Sequence, residues 1–181
     1  YLKPATEINP LSTEAHNNLA NIYGELGQNE MAVHQYQKAL QADPNNAPTL
    51  FNLGQTYIDL SNSDRAIEMF LQATQIEPSF IQAHRRLVKI YLEKEKYIGA
   101  LLHLKQLIKA NPNDISARIL MGKVYTKLKV FSLAIKNLSL FKSRHPNNIK
   151  ILEALAEAFY RAENLDRSIT EYQYLLELKP E

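Results

Sequence analysis

Apolar residues recur along this chain at spacings of three and four, and no stretch alternates with the period of two that a strand needs. Ala15, Leu19, Ile22, Tyr23 and Leu26 fall on one helical face. A turn around Gly27, Gln28 and Asn29 breaks the period, and Ala32, Val33, Tyr36, Ala39 and Leu40 restart it. Asp43-Pro44-Asn45-Asn46 ends the second run, because proline has no N–H to donate and crowds the preceding turn. The pattern predicts two helices joined by a short turn.

The same pattern then repeats. Pro10, Pro44, Pro78, Pro112, Pro146 and Pro180 stand 34 residues apart. In that frame Leu19, Leu53, Leu87, Met121 and Leu155 recur, as do Tyr23, Tyr57, Tyr91, Tyr125 and Phe159. Small residues recur at Ala32, Ala66, Ala100, Ala134 and Ser168, and at Ala20, Gly54, Gly122 and Ala156. The expected units are 13–46, 47–80, 81–114, 115–148 and 149–181, with residues 1–12 as the second helix of a truncated preceding unit. The small residues let paired helices approach, and a bulky replacement there costs about 1–3 kcal/mol. One helix pair cannot bury its own apolar face, so stability has to come from stacking neighbours.

The stretch TEAHNNLANIYGELGQNEMAVHQYQKALQADPNN closely resembles a tetratricopeptide repeat, through Leu19, Ala20, Tyr23, Ala32, Tyr36, Ala39 and Pro44. His16 stands at that family's usual tryptophan position. Units three and four depart from the pattern: Leu107 and Phe141 replace a small residue, and Lys142 and Arg144 stand where Leu40 and Ala42 do. Pentatricopeptide repeats run to 35 residues and lack this proline register. The resemblance implies an all-α fold, a right-handed α-solenoid superhelix of stacked helix-turn-helix repeats. It also implies that the first helix of each pair lines a concave groove where partner peptides bind. Carried over residue by residue, the groove positions are Asn17, Asn21, Phe51, Asn52, Gln55, Arg85, Arg86, Lys89, Ile119, Leu120, Lys123 and Lys127. Asn18, Gln82, Lys150, Glu153, Glu157 and Arg161 hold further groove-facing places. Asn21, Asn52 and Arg86 match three of five positions of a carboxylate clamp known in co-chaperone repeats, but Asn17 and Gln82 replace its lysines. Asn18 and Asn52 would form two rungs of an asparagine ladder, which Arg86 then ends.

Charge sharpens this picture. A net charge of +2 conceals segregation. The third and fourth units hold seven bases each, against three acids and none, while the first, second and fifth are acidic. Such a block focuses positive potential on one stretch of the chain. Arg85, Arg86, Lys89, Lys123 and Lys127 beside Phe51, Ile119 and Leu120 predict an acidic or carboxylate-bearing partner segment with apolar anchors. Glu153 and Glu157 read as a solvated face.

Chemistry is otherwise sparse. The chain has no Cys and no Trp, no glycine-rich phosphate loop, and no histidine pair at i, i+4. His16 and His84 share a repeat position, which points to packing. No catalytic residue, metal or cofactor is expected, and the chain is read as no enzyme. The leading function is a protein-interaction scaffold or adaptor. The alternatives are a partner-selecting arm of a larger enzyme such as a glycosyltransferase, and a nucleic-acid-associated adaptor. Against the last, Tyr97 and Phe131 in the basic block stand at packing positions, leaving little for base stacking. No apolar run is long enough to span a bilayer. The lack of cysteine fits a reducing compartment, with the cytoplasm expected. No polar capping element is visible, so the chain reads as part of a longer protein, with self-association through bare ends as a further expectation.

Overall fold

The structure, a computed structural model, describes residues 12–178. Among these residues it holds ten helices and no strand: α1 (Thr13–Glu25), α2 (Asn29–Ala42), α3 (Ala47–Asp59), α4 (Ser63–Ile76), α5 (Ile81–Glu93), α6 (Tyr97–Ala110), α7 (Ile115–Lys127), α8 (Phe131–Lys142), α9 (Ile149–Arg161) and α10 (Leu165–Leu178). The reading of residues 1–12 as a preceding helix lies outside the described residues except at Ser12, and so does the proline at 180.

Short polar side chains start four of the odd-numbered helices. Ser12, Asn46, Asp114 and Asn148 accept from the backbone N–H three residues on, at 3.2, 3.0, 2.9 and 3.2 Å. Each satisfies one of the N–H groups that a helix start leaves orphaned.

The turn inside each pair has one repeated geometry. Gly27, Ser61, Glu95, Lys129 and Glu163 all sit at φ between 54° and 71°, in the left-handed region. The residue after each donates its N–H back to the carbonyl of Tyr23, Tyr57, Tyr91, Tyr125 and Phe159, at 2.8 to 2.9 Å. This closes a Schellman motif, which satisfies carbonyls at the helix end and turns the chain sharply. The repeating aromatic therefore packs with its ring and anchors the turn with its carbonyl. Asn62 and Asn164 then cap α4 and α10, whereas Gln28, Lys96 and Val130 make no such bond.

The chain divides into two compact units, residues 1–90 and 91–181. In the first, Ala20, Ala32, Tyr36 and Leu53 form a core, with Tyr23, Val33, Leu40, Tyr57 and Met69 packed against it. Phe51 lies 5.5 Å from Phe70 and 5.2 Å from Phe80, ring centre to ring centre. Gly54 is a contact position: a Cβ built there would stand 2.6 Å from the Phe70 ring.

In the second unit the core joins Ile119, Ala134, Leu138, Phe141, Ile151, Ala154, Leu155, Ala158 and Phe159. Phe141, at a place that Ala39 holds in the first pair, is fully buried, with the Arg118 guanidinium 4.9 Å from its ring centre. Gly122 repeats the Gly54 arrangement, its absent Cβ 2.6 Å from Leu138. Lys142 Nζ reaches both carboxylate oxygens of Glu171, at 2.6 and 2.7 Å. The helix α10 exposes Leu165, Ile169, Tyr172 and Leu176.

Candidate partner-binding surface

Three of the histidines, His16, His84 and His103, are buried in the fold. His16 Nδ1 lies 2.8 Å from Gln35 Oε1, bridging α1 and α2, and His84 Nε2 lies 3.1 Å from the Pro78 carbonyl oxygen. His103 stacks on Tyr91 at 5.7 Å. Among the described residues no group of three or more His, Cys, Asp or Glu could hold a metal ion. No described helix is long and apolar enough to cross a membrane.

Eight of the twelve groove positions belong to the first unit. Two of these are committed to internal bonds. Asn17 Nδ2 donates to the Thr49 hydroxyl at 2.7 Å, and that hydroxyl lies 2.7 Å from Asn46 Oδ1, so the side chain is tied to the cap of α3. Asn21 Oδ1 accepts from the Tyr36 hydroxyl at 2.5 Å. Burial pushes the Tyr36 phenol above its ordinary value. Phe51 and Asn52 are half-buried, and Gln55 keeps a buried Oε1 with no protein hydrogen bond. On α5, Arg85 and Lys89 are exposed and Arg86 is half-buried. A cavity of about 400 Å³ in this unit lies among Leu40, Leu50, Tyr57, Arg65 and Met69, and no predicted position lines it.

The remaining four positions fall in the second unit. Here the expectation for Ile119 is corrected. The residue is 7% exposed and belongs to the core cluster that holds Phe141 and Ile151. Leu120 is half-buried. Lys123 and Lys127 line a cavity of about 720 Å³ between α7 and α9. That lies within the range of about 300–1,000 Å³ common for ligand clefts.

The cavity also takes in Thr126, Lys129, Phe131, Glu153, Ala154, Glu157, Arg161 and Glu163. Glu157 accepts from Arg161 Nε at 2.7 Å, an i, i+4 pair that raises the guanidinium pKa above its ordinary value. Burial, followed by the charges of Glu157 and Glu153, raises the Tyr172 phenol. The sequence reading missed Lys129, Phe131 and Glu163 as lining residues. Lys129 and Glu163 hold the same left-handed turn position in successive pairs, and opposite charges at one repeat position are the signal that marks them.

The stretch that precedes Glu153 is one-sided in charge. Between Lys96 and Leu152 it carries eleven bases and a single acid, Asp114. That acid is buried, and its carboxylate caps α7.

Sequence profiles of the tetratricopeptide repeat match residues 3–34, 20–61 and 47–80. Residues 3–80 therefore carry tetratricopeptide repeats. These repeats are of a kind that serves as a non-catalytic protein-interaction fold. No curated protein sequence matches this chain. Solved structures do: the tetratricopeptide repeat chain is similar to YrrB, described as a TPR protein with an unusual peptide-binding site, at a TM-score of 0.81 and 20% identity over 98% of this chain and 91% of that one. It is similar to MamA at a TM-score of 0.77 and 24% identity, over 92% of this chain and 91% of that one. A MamA fragment from Desulfovibrio magneticus RS-1 gives a TM-score of 0.73 and 20% identity, over 92% and 94%. At such identities the tetratricopeptide repeat architecture is what is shared.

Proposed function

We propose that this chain is a protein-interaction scaffold whose second unit holds an acidic segment of a partner protein along the face formed by α7 and α9. The observation that carries the reading is the set Lys123, Lys127 and Lys129. These three exposed ammonium groups line one open cavity and form no ion pair among the described residues. A cationic wall of this kind attracts carboxylates through charge-assisted hydrogen bonds. Phe131 in the same lining offers apolar contact. The peptide-binding site named for YrrB, a chain of the same architecture, supports the class of ligand.

The test is fluorescence anisotropy with a fluorescein-labelled peptide of Glu and Ala. Binding is expected to weaken steeply as NaCl rises from about 50 mM to about 500 mM, because exposed charges are screened over that range. A Lys123→Glu/Lys127→Glu protein is expected to lose it. Binding that ignores both salt and charge reversal would sink the reading. The run of bases between Lys96 and Leu152 favours one competing partner, a nucleic acid. Single-stranded RNA of matched length decides between them: tighter capture of RNA than of the peptide would replace the protein partner.

A further inference from the structure

The cavity between α7 and α9 has two walls of opposite sign. From α7 and the turn after it come Lys123, Lys127 and Lys129, and from α9 and the turn after it come Glu153, Glu157 and Glu163, with Arg161 as the one cation of that wall. Glu157 is occupied by Arg161 at 2.7 Å. Glu153 and Glu163, like the three lysines, form no ion pair among the described residues, so the two walls face one cavity without closing on each other. The rest of the lining is uncharged: Ala154 is 3% exposed, Thr126 is 9% exposed, and Phe131 is half-buried.

A purely acidic segment is a poor match for such a site. It satisfies the lysines but brings carboxylates toward Glu153 and Glu163, and like charges brought together across an interface are costly. A purely basic segment has the reverse fault. The geometry points to a mixed-charge partner segment, with a carboxylate seated on the α7 lysines, a small or apolar residue over Ala154 and Phe131, and an ammonium or guanidinium seated on Glu153 and Glu163. This rests on the reading of α7 and α9 as the binding face and specifies its ligand. The left-handed turn is what makes the second wall possible. Lys129 and Glu163 hold equivalent turn positions, at φ 60° and 58°, one repeat apart, so the fold itself places a cation and an anion at matching ends of neighbouring helices.

Three fluorescein-labelled peptide sets of one length test this: Glu with Ala, Lys with Ala, and Glu with Lys separated by two to five Ala. The probes are titrated by anisotropy into wild-type protein, Glu153→Gln/Glu163→Gln, and Lys123→Gln/Lys127→Gln. All four residues are exposed, and circular dichroism confirms that each variant keeps its helices. At least one mixed peptide is expected to bind roughly three- to tenfold more tightly than the all-Glu peptide, the scale of one or two exposed ion pairs. The glutamate variant is expected to erase that advantage while all-Glu binding holds or improves. The lysine variant is expected to weaken both. If the all-Glu peptide binds at least as tightly as every mixed one, and the glutamate variant changes nothing, the acidic-segment reading stands and the mixed-charge inference falls. If no peptide binds at low salt, both fall.

Discussion

Lys142 Nζ meets both oxygens of the Glu171 carboxylate, at 2.6 and 2.7 Å, and joins α8 to α10 across 29 positions of sequence. Lys142 stands where the first pair has Leu40, so a charged residue holds a place that is apolar in the first, third and fifth pairs. Its partner carboxylate is only 10% exposed, while the lysine is 31% exposed. Breaking such a pair from one side leaves a desolvated charge behind, which costs more than the pair contributes. Lys142→Met is expected to destabilise by about 1–3 kcal/mol, less than a fully buried pair because water still reaches the ammonium. Lys142→Met with Glu171→Met is expected to recover most of that loss. Urea unfolding of the four proteins in the cycle reads the coupling, and strict additivity would show that the two side chains do not cooperate.

The two glycines in helix contacts set a steric limit. Gly54→Ala and Gly122→Ala each place a methyl 2.6 Å from a buried neighbour, Phe70 or Leu138. Overpacking of this kind costs about 1–3 kcal/mol. Gly24→Ala is the control, because nothing lies within 4 Å of its Cβ position. Helix propensity then predicts a gain there of about 1 kcal/mol. Opposite shifts in thermal midpoint are the expected result, and equal shifts would refute the packing role.

Four of the five turns place a side chain at positive φ that glycine adopts without strain. Ser61→Gly and Glu95→Gly are expected to stabilise by up to about 1 kcal/mol each, since an L residue in this region pays a steric cost that the entropy of glycine only partly offsets. Val130→Asn adds the side-chain cap that Asn62 and Asn164 provide at the equivalent position, worth about 1 kcal/mol. Denaturation midpoints measure each change, and a loss in all three would contradict the turn geometry.

Tyr36 makes stability depend on alkaline pH. Its phenol is raised above 10.0 by burial, so folding favours the neutral form. The contribution is fully present below the unfolded value near 10 and is lost as pH climbs from there through the folded value. Stability is expected to fall as pH rises above about 10, and Tyr36→Phe to flatten that fall. At neutral pH the same variant loses the bond to Asn21 and about 1 kcal/mol. Urea unfolding at several pH values checks both parts.

The helices were legible because their signal is periodic and local. The 3.6-residue period, the interval between prolines and the small residues at Ala20 and Ala32 all act within one pair. Ile119 shows where that reading fails. It shares a repeat position with Asn17, yet Asn17 is held by Thr49 while Ile119 is drawn into the core beside Phe141. The position lies at the border between the groove face and the packed face, so the size of a neighbour on another helix decides its fate. Lys142 was visible as a departure, but its partner could not be read from local spacing. The left-handed turns were hidden for a different reason. Glycine advertises such a turn at position 27, while Ser61, Glu95, Lys129 and Glu163 adopt it without that flag.

Asp114 spends its carboxylate on the start of α7, and it is the only acid between Lys96 and Leu152. That stretch therefore holds almost no carboxylate to oppose its bases. This part of the molecule thus carries one electrical polarity. A partner drawn to it would be released by its own protonation, so the pH control of any such complex would belong to the partner.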